Sequence, residues 1–514
     1  MRKIWQCQRW LASCVLLLGA FNASATLNPS VAQADVKVPN IFSDHMVLQR
    51  EQANRVWGTA DAGEKITVTI GEQKIETAAD PSGKWEVKLN PLDAGGPYEL
   101  KITGNNTVTI SDVLVGEVWI CSGQSNMQWS VNASNDADLE KLAAKNTQIR
   151  MINFPQVGRQ EPVWSHDDRR WTVCSPESVG GYSAVGYFFG RQLQETLGVP
   201  VGLINNAWGG SAAEAWVRRD ILAADPQYAP MLERWQKTEA SFEELSKKSD
   251  LSEEEKKQLN ALRGQVNGNH RPGNIYNGVL KSHLGYGIRG AIWYQGESNA
   301  SRAYQYRELF PLMIKSWREE WQEGDFPFYW VQLADFKAEK PNPDESDWAE
   351  LREAQTMTMT KLPNTGQAVI IDIGEGKDIH PKNKVDVGRR LARWALAKDY
   401  GINVAYRSPE FKKADKNGNK MVISFDFVNG GWRPFDVSEP VGFAVAGADK
   451  KFVWAKTKIL QDGSIEVWSD EVADPAAVRY GWADNPVCNM FDQAGLPLTP
   501  FRTDDWPGVT ANNK

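Results

Sequence analysis

At 514 residues the chain exceeds what one hydrophobic core supports, and about two to four domains are expected. Its 41% hydrophobic and 24% charged residues are ordinary for a soluble globular protein, and a net charge of -7 argues against nucleic acid or an anionic membrane as main partner. The 22 Trp are many; most belong in cores, while some are expected to line a site, because indole faces stack on sugar rings.

Residues 1–34 read as an export signal. Arg2, Lys3 and Arg9 form a basic start, and Trp10 to Phe21 is an apolar run too short to span a bilayer. Small-x-small sites follow at Ala23-Ser24-Ala25 and Ala32-Gln33-Ala34. Leu11-Ala12-Ser13-Cys14 has the look of a lipoprotein cleavage box, but the apolar run continues past Cys14, which argues against lipidation. No later segment is long and apolar enough for membrane insertion. The expectation is an exported protein, periplasmic or extracellular. Of five cysteines, Cys7 and Cys14 leave with the signal. Cys121, Cys174 and Cys488 are too few and too widely spaced for a disulfide framework or a zinc site, and one unassigned disulfide is allowed.

Residues 35–112 read as a β-sandwich-like domain. Lys65–Ile70, Lys84–Leu89 and Tyr98–Ile102 alternate with period two between turn residues. From Val113 to about residue 402 apolar strands alternate with helices. The strands are Val113–Ile120, Val199–Asn205, Gly290–Tyr294, Phe328–Leu333 and Ala368–Ile373; the helices include Tyr182–Leu197, Tyr304–Trp321 and one through Val387, Leu391 and Trp394. This grammar predicts an α/β fold, a doubly wound parallel sheet with helices on both faces. Residues 224–270 interrupt it with dense charge and read as a solvated helical insertion, in which Ser252 and Glu255 are spaced for a capping box. From residue 403 to 514 strand patterns return, as in Met421–Phe425, Val441–Val445, Ile465–Trp468 and Val478–Trp482, giving a second β-rich region.

Four polar clusters follow four of the predicted strands: Ser125, Trp208-Gly-Gly-Ser211, Gln295-Gly-Glu-Ser-Asn299 and Asp378-Ile-His-Pro381. In a parallel sheet these ends share one edge, so the clusters are expected to meet in one crevice. Among five histidines, His380 alone directly follows a predicted core strand with a carboxylate, Asp378, beside it; His45 is a rival but belongs to the β-rich region. A neutral imidazole near Ser125 can take its proton while a carboxylate orients the ring. Ser122 and Cys121 are alternative nucleophiles, but lie nearer the strand. Oxyanion donors are expected from the Ser125 amide, from Gly209 or Gly210, and from the carboxamide of Gln295 or Asn299. Gln124 and Glu297 join these as substrate-side candidates, and Glu297 is alternatively structural or a support for the acid end of the triad. Met127 replaces the second glycine of a Gly-x-Ser-x-Gly elbow, and there is no metal-ligand pattern, phosphate loop or dinucleotide fingerprint.

Together these blocks resemble the sialate O-acetylesterase family, within the SGNH or GDSL-like serine esterases. Phe42–Gln49, Ala94–Leu100, Gly116–Met127, Trp208–Trp216, Ile292–Asn299, Asp378–Lys384, Val478–Trp482 and Pro500–Asp504 carry the resemblance. It implies an SGNH-type fold, Ser125 as nucleophile, His380 as base, and oxyanion donors from Ser125, the glycine pair and the third block. Two departures stand out. Lys377 occupies the place of the acid three residues before the histidine, so Asp378 is preferred, with Asp372 and Glu375 behind it. Gly296-Glu297-Ser298 replaces Gly-x-Asn, so Gln295 is preferred over Asn299 as third donor. The resemblance implies hydrolysis of O-acetyl esters on a glycan through an acyl-enzyme, without metal or organic cofactor. The substrate is O-acetylated sialic acid, or alternatively acetylated xylan or another polysaccharide. A non-catalytic carbohydrate-binding protein is the rival from another class. Trp129, Trp208, Trp216 and Tyr294 are candidate sugar platforms or core. Oligomeric state is not readable in the sequence.

Overall fold

The structure, a computed structural model, describes residues 35–513. The export signal expected over residues 1–34 lies outside the described residues.

The architecture is mixed α/β, with a large mixed sheet and β-rich regions on either side in sequence. Its organising element is β1 (Thr107–Gly123), a 17-residue strand. The first half of β1 pairs antiparallel with Gly95–Thr103, and Val47–Gln49 pairs parallel with Leu114–Gly116. Its second half belongs to the parallel sheet. The strand therefore runs unbroken through residue 112, where the alternating pattern gives way to a solid apolar run. The change in pattern marks a change in burial: from Val113 onward both faces of β1 are covered. Arg55–Thr59 and Lys84–Lys88 form a separate two-stranded sheet in the amino-terminal region.

The other strands of the parallel part are β2 (Ile149–Asn153), β4 (Val201–Asn205), β5 (Gly290–Tyr294), β6 (Phe328–Val331) and β7 (Thr365–Ala368). β3 (Trp171–Val173) pairs antiparallel with β2 at one edge. The order is β7-β6-β5-β1-β4-β2-β3. The alternation of β1 sets the two cores. Val118 and Ile120 point to one face, packed with α4 (Ala303–Trp321) and α5 (Asp347–Lys361). Trp119 and Cys121 point to the other, with α1 (Ala184–Leu197) and α6 (Lys384–Lys398). Each large apolar side chain buried here contributes about 1.5–3 kcal/mol.

The insertion forms a hairpin of α2 (Ala229–Ser246) and α3 (Glu253–Val266). The capping box expected at Ser252 and Glu255 is present: Ser252 Oγ accepts from the Glu255 amide, and Glu255 Oε2 accepts from the Ser252 amide. The last parallel strand lies earlier than the apolar pattern indicates, at Thr365–Ala368 rather than 368–373. Its neighbour β6 ends at Val331, paired with Ala368, so residues 369–371 are buried without a ladder partner. Residues 403–513 contain two four-stranded antiparallel sheets around their own core. Cys121, Cys174 and Cys488 are free thiols, so the allowed disulfide is not formed. Among the described residues no helix is long and apolar enough to cross a membrane.

Candidate active site

Register places the strand ends at one height. Asn205 pairs with Cys121, and Tyr294 with Gly123. Gly123 has φ +127°, and a Cβ there would lie 2.2 Å from Tyr294 O, so only glycine lets β1 end this close to β5. The chain then turns into a single helical turn beginning at Ser125. Cys121 and Ser122 are fully buried, whereas Ser125 is partly exposed.

Ser125 Oγ and His380 Nε2 are 2.8 Å apart. On the other ring nitrogen, Nδ1 lies 3.4 Å from Asp378 Oδ1, and that same oxygen accepts the His380 backbone amide at 2.9 Å. The other two carboxylates are engaged elsewhere. Asp372 forms two 2.6 Å bonds with Arg390, and Glu375 Oε1 accepts the Lys382 amide. Trp129 stacks on the imidazole, with ring centroids 4.7 Å apart and planes 12° from parallel. Burial pushes the His380 pKa below its ordinary 6.5; Asp378 works against that shift and Lys384 adds to it. The ring is thereby held in the neutral form that can accept a proton. His45 is bonded to Asp112 in the amino-terminal region, at 2.6 Å.

Asn126, buried beside Ser125, ties the blocks together. Its Nδ2 donates to Ile379 O at 3.0 Å and to Glu297 Oε1 at 2.7 Å, and its Oδ1 accepts from Lys384 Nζ at 2.6 Å. Burial drives Lys384 down to about 7, opposed first by Glu297. Burial raises Glu297. Glu297 thus stands behind Ser125, within this network.

Gly209 approaches Ser125 so closely that an added Cβ would lie 3.4 Å from Ser125 Cβ and 3.0 Å from Gln128 Oε1. The Gly209 amide donates to Gln128 Oε1 at 2.8 Å. The amides of Ser125 and Gly210 have no protein acceptor among the described residues. The carboxamides expected to supply a third donor are spent elsewhere. Gln295 Nε2 donates to Ser211 O and Asn299 Oδ1, and its oxygen accepts from Tyr306. Asn299 Nδ2 donates to Glu214. Both residues are buried, as is Gln124, whose Oε1 accepts the amides of Gly296 and Ser298. These three brace the crevice from below rather than facing it. Trp216 and Tyr294 are fully buried and belong to the core, whereas Trp129 and Trp208 are partly exposed.

The stacked Trp129, the Asn126–Lys384 bond and the Gln128 contact were not expected from sequence. Asn126 and Lys384 sit inside the quoted blocks, but their partnership spans 258 residues and leaves no local signal. Among the described residues, no group of three or more His, Cys, Asp or Glu is placed to hold a metal ion.

A family model described as carbohydrate esterase, sialic acid-specific acetylesterase, matches residues 115–247 and 269–397. The chain belongs to this family. As a member of the sialic acid-specific acetylesterase family it is a carboxylic ester hydrolase. Mouse (Mus musculus) sialate O-acetylesterase is 32% identical over 437 residues, 75% of this chain and 78% of the relative. The human (Homo sapiens) sialate O-acetylesterase is 28% identical over 524 residues, 92% of this chain and 94% of the relative. The crystal structure of a carbohydrate acetylesterase from Xanthomonas citri superposes with a TM-score of 0.80 at 37% identity, covering 92% of this chain and 100% of that one. In this family member, α3 falls in the stretch 248–268 between the two matched segments.

Proposed function

We propose that the chain is a serine esterase that removes acetyl groups from O-acetylated carbohydrates, with Ser125 as nucleophile, His380 as general base and Asp378 as the carboxylate orienting it. The observation that carries this reading is the 2.8 Å contact between Ser125 Oγ and His380 Nε2 at the carboxyl edge of the sheet. His380 accepts the serine proton as Oγ attacks the acetyl carbonyl, then gives it to the departing sugar oxygen. The acetyl group remains on Ser125 until a water, deprotonated by His380, releases acetate and restores the serine. The Ser125 amide and the glycine pair supply oxyanion donors. Gly210 has its N–H free, and Gly209 becomes available when the exposed Gln128 side chain turns away. The strand order supports an SGNH-type doubly wound reading, since the chain leaves β1 on the β4 side and returns on the β5 side.

O-acetylated sialic acid is the first substrate in this reading, because the sialate O-acetylesterases are relatives over most of the chain. The Xanthomonas citri relative, described as a carbohydrate acetylesterase, favours a second choice, acetylated xylan or another polysaccharide. The basic and apolar start of the chain supports export, where such glycans are met. The test is acetate release from O-acetylated sialic acid, xylo-oligosaccharides and pectin, by the parent and by Ser125→Ala. Release by the parent alone is expected, and the preferred glycan names the substrate. Equal release by both proteins would remove Ser125 from the chemistry. Glycan binding without release by either would make the chain a binding protein.

A further inference from the structure

The glycine pair beside Ser125 is clamped from its far end by the insertion hairpin. Asn269 Nδ2 donates to Gly209 O at 2.5 Å, and His270 Nε2 donates to Gly210 O at 2.7 Å. Both residues follow α3 closely. They also line a pocket of about 410 Å³ together with Trp235 of α2 and Gly264 and Gln265 of α3. Two of the pocket's wall residues are therefore bonded to the loop that touches Ser125.

Its chemistry is selective. Trp235 is half-buried, and its indole nitrogen has no protein partner among the described residues. The Gln265 carboxamide is exposed and likewise unpartnered. His270 Nε2 faces a carbonyl and so carries the ring proton, which leaves Nδ1 as a free acceptor. No residue lining the pocket bears a fixed charge. One flat aromatic face with neutral donors and acceptors around it suits an uncharged sugar ring, not a carboxylate or phosphate.

Gly264 adds an independent sign. It lies inside α3, where glycine costs about 1 kcal/mol against alanine. A Cβ there would meet nothing within 4 Å, and its backbone is helical, so neither crowding nor conformation calls for glycine. What its missing side chain does is leave the pocket open.

We propose that this pocket is a subsite for an uncharged pyranose unit adjoining the acetylated one, so that the hairpin selects oligomeric over monomeric substrates. The proposal rests on the deacetylation reading above. Its test compares, for whichever glycan the parent deacetylates, the O-acetylated monosaccharide with its oligosaccharide (O-acetylated sialic acid free or linked to a neutral disaccharide, or O-acetylated xylose against xylo-oligosaccharide) for the parent, Trp235→Ala and Gly264→Leu. Both variants are expected to raise KM on the oligosaccharide about five- to tenfold more than on the monosaccharide, the range of a lost aromatic stacking contact. Gly264→Leu is also expected to raise Tm, which separates pocket filling from misfolding. Equal effects on the two substrates, or none, would overturn the proposal. If the parent releases no acetate from any glycan, the deacetylation reading fails by itself. The subsite is then judged by titrating unacetylated xylo-oligosaccharide into Ser125→Ala and Ser125→Ala/Trp235→Ala protein. Binding weakened by the Trp235 change supports it, and no binding, or binding indifferent to Trp235, overturns it.

Discussion

Ser125 and His380 lie 255 positions apart and meet at 2.8 Å because each follows a strand of one parallel sheet. The contact to Asp378 is longer, 3.4 Å, and both side chains are partly exposed. A tightly bonded, buried triad acid is worth about 10⁴ in turnover. Asp378→Asn is therefore expected to lower kcat by about 10–10² only, and Asp372→Asn to leave kcat nearly intact while lowering Tm; steady-state kinetics on a simple acetate ester separates the two. In the proposed reaction His380 must be neutral to accept the proton, and burial lowers its pKa, so the acidic limb of kcat/KM is expected below 6.5 rather than above it. A midpoint above 6.5 would mean that Asp378 outweighs burial. Asn126 holds the Ile379 carbonyl and so sets where His380 sits. Asn126→Ala is expected to cost about 10² in kcat with KM little changed, the scale of a misplaced catalytic group. The meeting of Ser125 and His380 was legible in sequence because their residue types and strand-end positions coincide. Gln295 and Asn299 were not, because a carboxamide looks the same in sequence whether it faces substrate or is bonded internally to Ser211 and Glu214.

Among the elements, five of the six parallel strands and the helices that cover them with apolar stripes were legible; β2 was missed, because the buried Arg150 interrupts its short apolar run. α5 was missed for a physical reason: Glu350, Arg352, Gln355 and Thr358 are all buried on it, so the helix carries no clean apolar face. Those residues instead bond across to other segments. Arg352 donates to the carbonyls of Leu333, Ala334, Ala483 and Asp484, and Glu350 accepts from Val509 and Thr510. The glycine loop is set by close approach at Gly209 and by a left-handed backbone, φ +72°, at Gly210. Gly209→Ala is expected to keep the fold, since the new Cβ meets Ser125 at ordinary contact distance and the Gln128 side chain, 3.0 Å away, can move, yet to lower kcat/KM about 10²-fold by narrowing the space above Ser125. Wild-type kinetics for this variant would move the reacting carbonyl away from the glycine pair.

Across the whole molecule, buried polar networks join the regions. Glu117, fully buried in β1, accepts from Gln49 and Arg50 of the amino-terminal region, Arg289 before β5 and Tyr400 after α6. Burial opposes its charge, but Arg289 and Arg50 outweigh that and hold its pKa below the usual range. Glu117→Ala leaves Arg50 and Arg289 with only the exposed Glu51 as counter-charge and is expected to cost about 3 kcal/mol, read from the urea midpoint. His283, buried beside Asn206, has its pKa driven down to about 3 by burial. The unfolded chain binds this proton near 6.5 and the folded one does not. Stability is therefore expected to fall from about pH 6.5 toward 3, by up to about 1.4 kcal/mol per pH unit, and His283→Gln to flatten that slope. The sequence showed where strand patterns begin and end; it did not show these cross-links, which join residues far apart in the chain.

The central claim is that Ser125 carries the acetyl group during turnover. Its most direct test is peptide mass analysis of enzyme quenched in acid while hydrolysing an activated acetate ester. The account expects one acetyl group on the peptide containing Ser125, lost when the ester is exhausted and never formed in Ser125→Ala. Acetate release at the full parental rate with Ser125 unmodified, or by Ser125→Ala, would contradict it.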